Sequence, residues 1–286
     1  MEISLFDEQE IRCLVSRVID LPPLPTALQR LVEIIQSEMG SLNDLERVIR
    51  YDQGLAARVL RIANSTYYGC RGQIRTIARA LVLIGFEQAK RVCICALLME
   101  LFSSGKALDP ADREILWKEA FATAKFAGEI ASRRPWVTPE EAYVLGLLHD
   151  IGRLVMAVYL PQHYQAVREL ARHRKIPSWY AEKEYGLSHS MIGKWVAVKW
   201  SLPEVFQRVI EYHHQPGWTP SFRSEVKLIY LANVLAISRD LPELLSDQQT
   251  LQFCSDLFIT EDEWNFYQAR VDFIWPEVDQ FWNLLS

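Results

Sequence analysis

Apolar residues recur along nearly the whole chain at intervals of three and four, and no stretch alternates apolar with polar as a half-buried strand does. Leu28, Leu31, Val32 and Ile35 form one such face. This periodicity predicts an all-α fold. Helix-start patterns punctuate it: Asp7 with Glu10, Ser41 with Asp44, Asp52 before "QGLAARVLRIA", "TPEE" at Thr138 and Thr260 before "EDEW". The prolines of "LPPLP", residues 21–25, end the first helix, and Gly85 separates "TIARALVLI" from "FEQAKRVCICALLMELF". The polar stretch "SSGKALDP", 103–110, closes in an Asp-Pro pair suited to the N-cap and first-turn positions. It predicts an N-terminal helical unit over 1–104 and a second over 105–286. Helices of the second are expected near 110–132, 139–149, 152–159, 161–174, 189–200, 203–214 and 224–238, with one or two more in the tail.

With 286 residues, half of them hydrophobic, the chain can bury a substantial core. Its longest apolar run, "VCICALLMELF", is broken by Glu100 and is shorter than the roughly 20 residues a membrane helix needs. The acidic start "MEISLFDEQE" lacks a secretory pattern, so a cytoplasmic location is expected, without membrane association. Cys13, Cys70, Cys93, Cys95 and Cys254 are odd in number and form no CxxC pair, which argues against a disulfide framework and a thiolate zinc site. A net charge of −5 gives no footprint for nucleic acid, and "RHRK", 172–175, reads as the solvated end of a helix.

Chemistry concentrates after residue 148, where all six histidines fall. "GLLHDIGRLV" sets His149 and Asp150 inside an apolar run, where an imidazole and a carboxylate need partners. His189, His213 and His214 add donors suited, with a carboxylate, to iron, manganese or zinc. Two readings remain open. One is a bound divalent ion. The other is a metal-free polar cluster in which Asp150 caps the next helix and His149 bonds to Glu119 or Asn233, so that no cofactor is expected. His163 and His173, on a polar helix, read as surface groups. In "NSTYYG", Asn64, Tyr67 and Tyr68 either offer polar and aromatic groups to a ligand or partner or pack the two helical units.

The order of the doublet, a His opening a later helix, and a His pair ending the helix after that resembles the metal-dependent phosphohydrolases of the HD superfamily. "LPPLPTALQRLVEII", "LAARVLRIANSTYYG", "IRTIARALVLIGFEQAKRV", "GLLHDIGRL" and "HSMIGKWVAVKWSLPEVFQRVIEYHHQP" narrow it to the HDOD domain, the HD-related output domain of bacterial signalling proteins, over about residues 19–218. The resemblance implies an HD-like helical bundle with an N-terminal helical subdomain. It also implies a noncatalytic regulatory module that acts through a signalling partner or small ligand. Its metal residues would be His149, Asp150, His189, His213 and His214, with Glu119 a further candidate. Departures from active HD enzymes are specific: "LWKEAFATA" offers Glu119 where a ligand histidine is expected, and "YLANVL" has Asn233 in place of an aspartate. HD-GYP phosphodiesterases continue the doublet to a lysine, and this chain has Arg153. The competing expectation is a metal-dependent phosphohydrolase or phosphodiesterase acting on nucleotides or cyclic dinucleotides.

Overall fold

The structure is a computed structural model that describes residues 24–37, 40–68, 73–101 and 109–285. The Asp7–Glu10 pattern and most of the 103–110 stretch lie outside the described residues. Among the described residues every regular element is helical. The helices gather into two compact units, one joining 24–101 with 279–285 and the other covering 109–278.

In the first unit, α1 (Thr26–Gln36), α2 (Leu42–Arg50), α3 (Gln53–Ala63), α4 (Ile77–Ile84) and α5 (Phe86–Leu101) bury the faces that the periodicity marks. Leu28, Leu31, Leu45, Ile49, Leu55 and Ile62 are all at most 2% exposed. Ser41 and Asp44 form a reciprocal capping box on α2, and Asp52 accepts from the Leu55 N–H to start α3. Cys93 and Cys95 are both fully buried on α5.

In the second unit, Asp109 caps α6 (Pro110–Ala131) through the Ala111 N–H, with Pro110 in its first turn. Thr138 caps α7 (Pro139–Leu148). The chain turns at His149–Asp150 and re-enters a helix as α8 (Ile151–Tyr159). It continues through α9 (Pro161–Arg174), α10 (Ser178–Glu182), α11 (His189–Lys199), α12 (Glu204–Tyr212) and α13 (Arg223–Ile237). The tail supplies α14 (Gln248–Asp256) and α15 (Glu261–Leu285), the latter opened by a Thr260–Glu263 box. α6 packs on α7 and α13, and α11 packs on α8 and α12. Residues 139–159 are long and apolar enough to cross a membrane by composition, although His149, Asp150 and Arg153 interrupt them, and 83% of that window is buried in the fold.

Two close approaches hold the 149–150 turn. A Cβ on Gly146 would lie 2.8 Å from the Cα of Ala124 on α6, and one on Gly152 would lie 1.9 Å from the carbonyl oxygen of His189. Only a residue without a Cβ lets α8 sit this close to the start of α11. Gly152→Ala is therefore expected to lower the urea midpoint of unfolding. Helix propensity alone favours alanine by about 1 kcal/mol, whereas overpacking costs about 1–3 kcal/mol or more. An unchanged or raised midpoint would show that the contact does not constrain the fold.

Candidate functional site

Asp150, His189, His213 and His214 come together, each offering one ligand atom, with all four atoms within 4.8 Å of one another. They arrive from three places: the turn between α7 and α8, the first residue of α11, and the end of α12. Helix ends suit this task because each side chain there leaves the helix axis into the space between neighbouring helices.

His213 Nδ1 donates to the carbonyl of Ile210 at 3.0 Å, which turns its Nε2 inward. His189 is held by Glu182, whose carboxylate lies 2.7 and 2.8 Å from Nδ1 and also accepts the His189 backbone N–H at 2.9 Å. His214 stacks on Trp179, with ring centroids 4.0 Å apart and planes at 18°. The Nε2 atom of His189 lies 3.0 Å from that of His214 and 3.3 Å from that of His213. Asp150 Oδ1 lies 3.1 Å from Nε2 of His189 and 3.4 Å from Nε2 of His213, yet this buried oxygen has no hydrogen bond of good geometry.

These residues fit a metal ion. Facing imidazole lone pairs need a shared cation or proton between them, and the four short separations match the edges, roughly 3.3 Å, of a shell with metal bonds of about 2.0–2.1 Å. Glu182 supplies the outer carboxylate that orients a ligating histidine. Without an ion the electrostatics are met by a proton. Burial works against charge on His189, but Glu182 and Asp150 outweigh it and push its pKa up to about 9. Burial likewise works against charge on Asp150, and His149, His189 and Arg153 overcome it to hold the carboxyl well below its ordinary range. Burial, reinforced by His213 and His189, pushes His214 well below the usual histidine range.

The other candidates take different places. His149 is fully buried, donates from Nδ1 to the Gly146 carbonyl at 2.6 Å and accepts at Nε2 from the Asn233 amide at 3.0 Å. Its outward lone pair is therefore used by Asn233, although Nε2 also lies 3.5 Å from Asp150 Oδ2. Burial brings its pKa down to about 4. Glu119 does not join the four ligand atoms: its Oε2 accepts from Arg153 Nη1 at 2.6 Å, and the same Nη1 donates to Asp150 Oδ2 at 3.0 Å. Asp150 stands at the N-cap of α8, but its side chain makes no capping bond. His163 is buried, not a surface group; its ring packs edge-on against Tyr185 at 5.2 Å, while His173 is exposed as expected. Asn64 is used internally: its side chain bonds the Leu60 carbonyl and both the N–H and carbonyl of Ile74, each at 2.8 Å. Tyr67 is half exposed and meets Tyr68 edge-on at 4.9 Å. Glu182, Trp179 and the bridging role of Arg153 escape a reading of the sequence.

The HDOD domain profile matches residues 21–216, and the chain belongs to that family. An HDOD domain protein of unknown function from Geobacter sulfurreducens has the same fold, with a TM-score of 0.78 at 24% identity over 98% of this chain and 99% of that one. A candidate signal transduction protein from Marinobacter aquaeolei VT8 gives 0.81 at 22% identity, over 97% of this chain and 65% of that one. A candidate phosphohydrolase from Shewanella amazonensis SB2B gives 0.71 at 23% identity, over 96% and 98%. An uncharacterized protein of Treponema pallidum (strain Nichols) is 25% identical over 226 residues, which span 77% of this chain and 43% of the length of that curated relative.

Chelator-stripped protein titrated with manganese, iron(II) or zinc is expected to take up no more than one equivalent per chain. Glu182→Gln should weaken that binding by about 10–100-fold, the usual cost of an outer-sphere change, and Asp150→Ala should weaken it further. A second tight equivalent, or binding indifferent to both substitutions, would contradict the geometry.

Proposed function

We propose that this chain is a noncatalytic regulatory HDOD module of the bacterial cytoplasm, acting through a signalling-protein partner or a small ligand. Its HD-like site holds at most one divalent ion, iron, manganese or zinc, on Asp150, His189, His213 and His214.

The observation that carries this reading is Arg153. Two-metal hydrolysis uses ions about 3.5–4 Å apart that clamp the attacking and leaving oxygens. A carboxylate that bridges two ions with one oxygen on each needs both oxygens free. Here Oδ1 of Asp150 faces the histidines, and Oδ2 is taken by the Arg153 guanidinium, which Glu119 holds from the other side. The guanidinium supplies positive charge where a second ion would sit, but it has no vacant coordination position and does not give up its proton. Asn233 completes the pattern by occupying the lone pair of His149.

The second reading, a metal-dependent phosphohydrolase or phosphodiesterase acting on nucleotides or cyclic dinucleotides, is favoured by the convergence of three imidazoles and one carboxylate. A single bound ion would supply Lewis acidity and lower the pKa of a water. The noncatalytic reading expects purified protein supplied with iron, manganese or zinc to leave cyclic dinucleotides, nucleoside triphosphates and simple phosphodiesters intact. Metal-dependent turnover that disappears in Asp150→Ala would sink it.

Arg153→Met tests the stand-in directly. Removing one partner of a buried ion pair costs about 3–5 kcal/mol, so the melting temperature should fall. Added manganese should then restore more of it than it adds to the wild type, because Glu119 and Asp150 are left without their cation. Equal manganese responses in the two proteins would refute the substitution of guanidinium for ion.

A further inference from the structure

Arg153 lines a cavity of 590 Å³ within the second unit, a volume inside the range of small-molecule sites. Only Nη1 of Arg153 is engaged by the two carboxylates; among the described residues Nε and Nη2 have no partner. Two more cations, Arg172 and Lys175, line the same cavity and are exposed, and neither has a carboxylate partner among the described residues. Arg168 also lines it and is paired with Asp112. In a chain of net charge −5, uncommitted guanidinium and ammonium groups around one cavity are a directed feature. The "RHRK" segment is the exposed end of its helix, and two of its members line this space.

The remaining walls are apolar and aromatic, with Met156, Tyr164, Ile176 and Trp179 among them. Three of the four lining carboxylates already have partners, Glu119 and Asp150 sharing Arg153 and Glu182 pairing with His189. Asp240 is the fourth and has no side-chain partner among the described residues, so it can accept from a ring N–H or amino group. A guanidinium edge recognises planar or tetrahedral oxyanions through paired N–H donors, and aromatic walls favour a flat ring.

We propose that this cavity binds a small aromatic oxyanion, a ring carrying one phosphate or carboxylate, as an effector that is not turned over. The oxyanion lies on Arg153, Arg172 and Lys175, and the ring lies among Tyr164, Ile176 and Trp179. The proposal deepens the noncatalytic reading and rests on it for the fate of the ligand.

Isothermal titration of the full chain at about 0.1 M ionic strength tests it with four probes: guanosine 5′-monophosphate, guanosine, anthranilate and inorganic phosphate. At least one of the two ring-bearing anions is expected to bind saturably at one per chain, with guanosine and inorganic phosphate at least tenfold weaker. Preference for the monophosphate or for anthranilate distinguishes a phosphate from a carboxylate ligand. The rim double variant Arg172→Gln/Lys175→Gln, chosen because both residues are exposed and an Arg153 variant risks unfolding, should bind at least tenfold more weakly at an unchanged melting temperature. Binding of neither anion, guanosine binding as well as its monophosphate, or equal binding by the double variant overturns the proposal. Release of phosphate from the bound monophosphate would instead sink the noncatalytic reading while leaving the cavity assignment standing; loss of binding without any turnover would do the reverse.

Discussion

The structure around the site depends on how one buried carboxylate is neutralised. Asp150 sends Oδ2 to the Arg153 guanidinium and Oδ1 toward His189 and His213. Burial alone would keep its proton on, yet the surrounding histidines and Arg153 hold it well below the ordinary carboxylate range. An ionised group in so dry a place is tolerated only when each oxygen faces positive charge or a donor. The placements of Glu119, Glu182 and Asn233 all follow from this requirement. Glu119 anchors Arg153, Glu182 charges His189, and Asn233 donates to Nε2 of His149.

Backbone geometry makes that arrangement possible. The doublet sits between Gly146, pressed on Ala124, and Gly152, pressed on the His189 carbonyl. The second contact brings the residue that opens α11 within reach of Asp150, so the helix crossing and the ligand set are one feature. Trp179 then presses the ring of His214 from outside, and His213 flanks it at 3.9 Å between centroids. The site is therefore preorganised by packing on three sides, which spares a bound ion or ligand the cost of ordering these side chains.

Local features were legible in the sequence, because their causes lie within a few residues. The caps at Ser41, Asp52, Asp109, Thr138 and Thr260 each satisfy N–H groups two or three residues on, and the structure keeps all of them. The gathering of Asp150, His189, His213 and His214 was legible through the ordered motifs of the family. What escaped depends on partners far along the chain. Glu119 reads as a metal ligand until Arg153, 34 residues later, takes its carboxylate; the spacing of Asp150 and Arg153, three apart on one helical face, was the available clue. His163 sits on a polar helix, and its buried ring meets Tyr185, which lies beyond the next helix. Glu182 precedes His189 by seven residues across a short 3-10 turn, a separation that periodicity does not interpret.

Three carboxylates, Glu119, Asp150 and Glu182, converge on the site, where Arg153 is the permanent cation paired with the first two. On the histidine side, positive charge is supplied by a proton on His189, whose pKa the acids raise to about 9, or by an ion that replaces that proton. On the arginine side it is supplied by a charge the protein cannot lose. The two halves thus differ in kind: one exchanges its cation with solvent, and the other is a fixed guanidinium that lines the cavity. A metal-dependent hydrolase needs exchangeable, water-activating cations where the substrate sits. Here Arg153, which can bind an anion but cannot activate a water, lines the cavity beside Asp150 and His214, and its fixed charge favours recognition over turnover.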